Sequence, residues 1–103
     1  MHLVAIRRED YEANPWIAKP LYDAFCKSKE IAFEKMGFSG AQKIMLPFLY
    51  GDLVEVDELF GGDPWPYGVE ANRKTLEALI AHLVEQGLIA ESLDVDDLFL
   101  DVT

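Results

Sequence analysis

Two stretches of this sequence bring chemically useful side chains close together. The first is Arg7-Arg8, which follows the apolar residues Leu3, Val4, Ala5 and Ile6. Two guanidiniums at the end of a strand suit a carboxylate, because a planar fork of N–H donors grips it with two bonds at once. The plain alternative is that they offset the neighbouring Glu9 and Asp10. The second stretch runs from Asp63 to Arg73, DPWPYGVEANR. Pro64, Pro66 and Gly68 make a stiff, non-helical turn that carries Trp65 and Tyr67. Glu70, Asn72 and Arg73 follow in the first turns of a helix. This arrangement has two readings: an aromatic ligand pocket, or a packing plug whose polar residues cap the helix and tie it to its neighbour. Physics alone favours the plug, with Trp65 buried against the following helix. Glu70 suits a helix N-terminus whatever its function, since the helix dipole favours negative charge there.

The other reactive residue types are dispersed. His2, His82 and Cys26 are the nitrogen and sulfur ligand types present, and they form no HxxxH or CxxC pair. No metal site is expected. Cys26 follows Phe25 on an amphipathic stretch with no histidine near it in sequence, so it reads as a buried structural thiol. Asp94, Asp96, Asp97 and Asp101 lack the spacing and the glycine of a calcium loop, which leaves helix capping and solubility as their role. No GxSxG, GxGxxG or phosphate-binding loop occurs, and no cofactor is expected.

The elements that must hold these residues follow from pattern. With 103 residues, half of them apolar, the chain supports one folding unit, residues 1–103, and one core. Leu3 to Ile6 reads as one short N-terminal strand, and the rest is mostly α. Asp10 caps a first helical turn. Asn14-Pro15 opens a longer helix whose apolar residues include Leu21, Phe25, Ala32 and Met36; Lys27, Lys29, Glu30, Glu34 and Lys35 form its solvated face. Pro20 should kink that helix or start it late, and Gly37 should stop it. Residues 38–43 are a loop. Leu46-Pro47 reopens a helix that Gly61-Gly62 ends, the best helix spans residues 69–86, and Asp94 caps a last short turn.

Charge narrows the function classes. Nineteen acids against nine bases give a net charge of −10 and a pI near 4.4. Such a surface repels phosphate backbones and anionic lipid, so no nucleic acid and no membrane partner is expected. The longest apolar run, Ile44 to Tyr50, has seven residues and contains Pro47, too short for a membrane span. Charged residues from Arg7 onward leave no room for a leader's apolar stretch. With a lone cysteine, these features give a cytoplasmic expectation.

The segment GDPWPYGVEANRKTLEALIAHLVEQGLI resembles the C-terminal part of the 4,5-dihydroxyphthalate decarboxylase family. MHLVAIRREDYEANPWIAKPLYDAF, Leu46-Pro47-Phe48 and Asp97-Leu98-Phe99 resemble the family's other landmarks, so the resemblance spans nearly the whole chain. It implies the C-terminal portion of a two-lobed, type II periplasmic-binding-protein-like α/β fold, with the N-terminal portion absent. The implied reaction removes one carboxylate of a small aromatic substrate, 4,5-dihydroxyphthalate, giving protocatechuate and CO2 in phthalate breakdown. Carboxylate clamps and a general acid would be needed, for which His2, Arg7 and Arg73 are the candidates in this chain. Trp65, Tyr67 and Arg73 are the candidates for binding the substrate. Glu91 stands where the resemblance leads one to expect a basic residue. A chain of this length supplies about one lobe, so it is expected to be inactive alone. The alternative is a non-enzymatic solute-binding module of the thiamine-precursor-binding type. Uncovered helix faces and the Leu3 to Ile6 strand edge are expected to promote self-association.

Overall fold

The structure, a computed structural model, describes residues 2–38, 40–41 and 43–102. Helix α1, Arg8–Ala13, carries Glu9 and Asp10 in its first turn, where the dipole favours them, and Arg7 pairs with Asp10 at 2.7 Å. The backbone N–H of Asn14 closes α1 by donating to the carbonyls of Asp10 and Tyr11. Asn14 makes no side-chain cap, in contrast to the sequence expectation. A 3-10 turn, Pro15–Ile17, leads instead into α2, Ala18–Gly37. Pro20 thus falls in the first turn of α2, where its missing N–H breaks no bond.

Helix α3, Leu49–Phe60, begins just after the Leu46-Pro47 step, and the N–H of Asp52 donates to Phe48. Gly61, at φ +66°, ends it in the left-handed conformation that glycine adopts without strain. Helix α4, Val69–Glu85, follows the aromatic turn. Its end is a Schellman arrangement: the N–H of Leu88 reaches Leu83 and that of Gly87 reaches Val84. Helix α5, Val95–Leu98, is capped by Asp94 Oδ1, which accepts from the N–H of Asp96 at 2.9 Å.

The expected strand is not formed. Among the described residues there is no strand, and Leu3 and Val4 lie exposed in an extended lead-in to α1. An extended segment becomes a strand only when its backbone groups pair with a neighbouring one, and the described residues form none beside it. The α/β, type II periplasmic-binding-protein-like class implied by the resemblance is therefore not what this chain displays; the described residues are helices and connecting turns.

The core is small. Leu76 and Ile80 of α4 and Val95 of α5 are buried together, with Val69, Ile89 and Phe99 packed around them. Ala18 and Leu49 are buried elsewhere, and no side chain is fully sealed among the described residues. α2 meets α3, and α4 meets α5. The radius of gyration is 17.6 Å, against about 13 Å for a compact chain of this length. The accessible surface is 8572 Å², roughly 2,700 Å² more than a compact protein of this mass exposes. These helices therefore leave apolar faces without cover.

Candidate functional site

The Asp63-to-Gly68 turn is held in place by Lys29 of α2. Lys29 Nζ donates to Asp63 Oδ1 at 2.9 Å, to Asp63 Oδ2 at 2.7 Å and to the Trp65 carbonyl at 2.7 Å. Asp63 Oδ1 also accepts from the backbone N–H of Trp65 at 3.0 Å. The ammonium sits 4.6 Å from the centre of the Tyr67 ring and 5.8 Å from that of Phe33, both distances at which the negative ring face attracts a cation. The Lys29 side chain is only 19% exposed. Its hydrogen bond to Asp63 is the main reason that carboxyl lies below its usual range; partial burial opposes the shift, and the Trp65 N–H adds to it.

A second tie comes from α4. Asn72 Nδ2 donates to the carbonyls of Pro66 at 2.8 Å and Gly68 at 2.9 Å, lacing the turn to the helix it precedes. Gly68, at φ +101° and ψ 160°, occupies a conformation essentially reserved for glycine. Of the polar half of the plug reading, the tie is formed, but no side chain caps the start of α4.

The apolar half is not formed. The Trp65 indole is 71% exposed, and Tyr67 is also exposed. The expectation that Trp65 packs against α4 fails because the ties that fix the turn are polar and leave the indole outward. The best-formed grooves lie elsewhere. Two open grooves are described. One of about 250 Å³ lies between α4 and α5, lined by Glu77, Ile80 and Val95 among others. The other, of about 290 Å³, is lined by Glu34, Lys35, Phe38 and Lys43. Neither contains Trp65, Tyr67, Arg73, His2 or Arg7.

The candidate cations are separately engaged. Arg73 bridges Glu70, one turn back on α4, and Asp96 on α5, the latter at 2.7 Å. Those two hydrogen bonds hold its pKa above the usual arginine value and pin α5 to α4. A substrate carboxylate would have to displace them. Arg7 is largely exposed beside Asp10, Arg8 is exposed, and His2 lies in the exposed lead-in. No hydrogen bond or ion pair joins His2 or Arg7 to Arg73 among the described residues. The structure brings Tyr67 and the Trp65 backbone together around Lys29 and leaves the other candidates apart.

The remaining ligand types form no site. His82 Nδ1 and Glu85 Oε2, three residues apart, stand at 3.5 Å on the exposed face of α4. No cluster of three or more His, Cys, Asp or Glu side chains that could hold a metal occurs among the described residues. Cys26 is half-buried, one helical turn after Tyr22; burial first, and the thiol's hydrogen bond next, push the Tyr22 phenol up. Among the described residues no helix is long and apolar enough to cross a membrane.

Lys29 is the residue that sequence reasoning misplaced, by assigning it to the solvated face. Its position contained the signal. Ala18, Tyr22, Cys26, Lys29, Phe33 and Met36, the half-buried or buried residues of one α2 face, recur every three or four positions. A lysine on such a stripe needs a partner for its charge.

No protein-family model matches the chain. Over 99 residues, 96% of its length, the chain is 31% identical to 4,5-dihydroxyphthalate decarboxylase of Comamonas testosteroni. The match spans about 30% of that protein's length, so the chain corresponds to less than a third of the relative. The chain is thus similar, along nearly all of its own sequence, to one part of a 4,5-dihydroxyphthalate decarboxylase.

Proposed function

We propose that this chain is a decarboxylase-like polypeptide that supplies one part of a site for a small aromatic carboxylate, as the C-terminal portion of a larger catalytic unit. The observation that carries the reading is the 31% identity running over 96% of the chain. The open architecture supports it as well. Sites for molecules of this size bury most of the ligand in an enclosed cleft, and the aromatic turn here leaves Trp65 and Tyr67 exposed. In the proposed unit, Trp65 and Tyr67 face the substrate ring, and additional polypeptide supplies the opposite wall and the proton donor. Loss of CO2 from 4,5-dihydroxyphthalate breaks one carbon–carbon bond, and a proton takes the place of the carboxylate to give protocatechuate. The chain alone, with half a cleft, does not orient a substrate and is inactive.

A transplant tests the reading. The matched stretch of the Comamonas testosteroni relative is replaced by the corresponding residues of this chain, and protocatechuate formation is followed. Turnover by the hybrid supports the proposal. A soluble, folded hybrid that neither binds nor converts 4,5-dihydroxyphthalate overturns it. Binding without turnover rejects the enzyme reading in favour of a solute-binding module.

A further inference from the structure

The aromatic turn is tied down from two sides although its rings stand in water. Lys29 of α2 holds the Asp63 carboxylate and the Trp65 carbonyl. Asn72 of α4 holds the carbonyls of Pro66 and Gly68. Trp65 and Tyr67 therefore project from a backbone fixed at both ends, and packing does not account for it, because both residues are exposed.

Lys29 differs from the other paired lysines of its helix. Lys19 and Lys27 are exposed and pair within α2, with Asp23 and Glu30. Lys29 is mostly covered and reaches a partner 34 residues away. An ammonium has three N–H donors, and the three acceptors around this one all belong to the turn. Its charge also attracts the Tyr67 ring, 4.6 Å from Nζ to the ring centre. No donor remains for a bound anion, so Lys29 acts through the turn. We infer that Lys29 is a positioning residue for the aromatic site, one that presets Trp65 and Tyr67 for a substrate ring without touching the substrate. The inference rests on the decarboxylase reading, in which these two residues face that ring. Side chains ordered in advance avoid the entropy cost of being immobilised on binding. Loss of Lys29 therefore weakens the binding of substrate and transition state alike, which raises KM and spares kcat. A lysine that served only the stability of the fold would instead reduce the amount of active protein, lowering apparent kcat at unchanged KM.

Steady-state kinetics of the transplant hybrid test it, with this chain's numbering kept in the transplanted stretch. Lys29→Met should raise KM for 4,5-dihydroxyphthalate roughly tenfold, the scale of freeing two large side chains, and leave kcat within about twofold. Asp63→Asn, a milder change at the other end of the tie, should raise KM about threefold with kcat likewise kept, and it decides the matter if Lys29→Met does not fold. Lys27→Met removes an α2 ammonium that is paired within the helix and should change neither constant. If the hybrid with Lys29 intact binds without turnover, the enzyme reading fails, and Kd for 4,5-dihydroxyphthalate is compared across the same variants in place of KM. A lower kcat at unchanged KM, two unchanged constants, or an equal rise in KM from Lys27→Met overturns the positioning role. A folded hybrid with Lys29 intact that neither binds nor converts 4,5-dihydroxyphthalate overturns the decarboxylase reading and this inference with it.

Discussion

Lys29→Met removes the ammonium that joins α2 to the aromatic turn while keeping most of the apolar stem. Three hydrogen bonds are lost, at 2.7–2.9 Å, two to Asp63 and one to the Trp65 carbonyl. Hydrogen bonds involving a charged group contribute about 1.5–3 kcal/mol each when they are well shielded. Here Asp63 is 47% exposed, so water re-solvates its carboxylate and the loss falls toward that of surface ion pairs, up to about 1 kcal/mol. The cation over the Tyr67 ring adds roughly 0.5–1 kcal/mol. The sum is about 2 kcal/mol, and it needs no contribution from the lysine stem, which methionine replaces. Urea unfolding followed by far-UV circular dichroism reads this directly, at one fixed protein concentration because association shifts apparent stability. With a slope of about 1–1.5 kcal/mol per molar urea, the midpoint should fall by roughly 1.5 M. Asp63→Asn should cost less alone, and the double variant should show a coupling of about 1 kcal/mol between the two positions. A midpoint shift below about 0.3 M for Lys29→Met, or additive single effects, would refute the claim that this node holds the turn.

Three further expectations follow from the same geometry. The fold holds the Asp63 carboxyl below its unfolded value near 3.9. Its contribution is therefore complete above that value and is lost as pH falls through the lower folded one; the loss of stability below about pH 4 should be shallower in Asp63→Asn, and identical acid titrations of the two proteins would contradict this. Trp65→Ala should destabilise by less than about 1 kcal/mol because the indole is mostly in water, whereas a cost of about 3–5 kcal/mol would place it in a packed core. Arg73→Gln should release α5 from α4, so amide exchange at residues 95–98 should accelerate while that in the middle of α4 is unchanged; equal protection in both proteins would show that Val95 alone holds α5.

The helices were legible because their boundaries rest on local chemistry. Asp94 caps α5 as its side chain dictates, Gly61 ends α3 in the conformation it alone tolerates well, and Gly87 closes the Schellman turn after α4. Pro20 delayed α2 without breaking it, for the same local reason. Non-local features were not legible. Leu3 to Ile6 has strand-like composition, but strand pairing depends on a neighbour that no local pattern supplies. Trp65 has the size of a core residue, yet the cover it would need is absent on that side of α4. At the candidate site, the rigidity of the turn was readable from proline and glycine, and a polar tie from the first turns of α4 was readable from helix position, although Asn72 makes it by holding the turn's carbonyls and not by capping the helix. Lys29 was not, because its partner is 34 residues away. The engagement of Arg73 by Asp96 was hidden for the same reason, since a cation's freedom to bind substrate depends on which carboxylates the fold brings to it.

The decarboxylase reading is tested most directly by release of labelled CO2 from carboxyl-labelled 4,5-dihydroxyphthalate. Three proteins are compared: the transplant hybrid, the relative with its matched stretch deleted, and the isolated 103-residue chain. The account predicts label release by the hybrid alone, with an equal amount of protocatechuate formed. A folded hybrid releasing no more label than the deletion protein would contradict it.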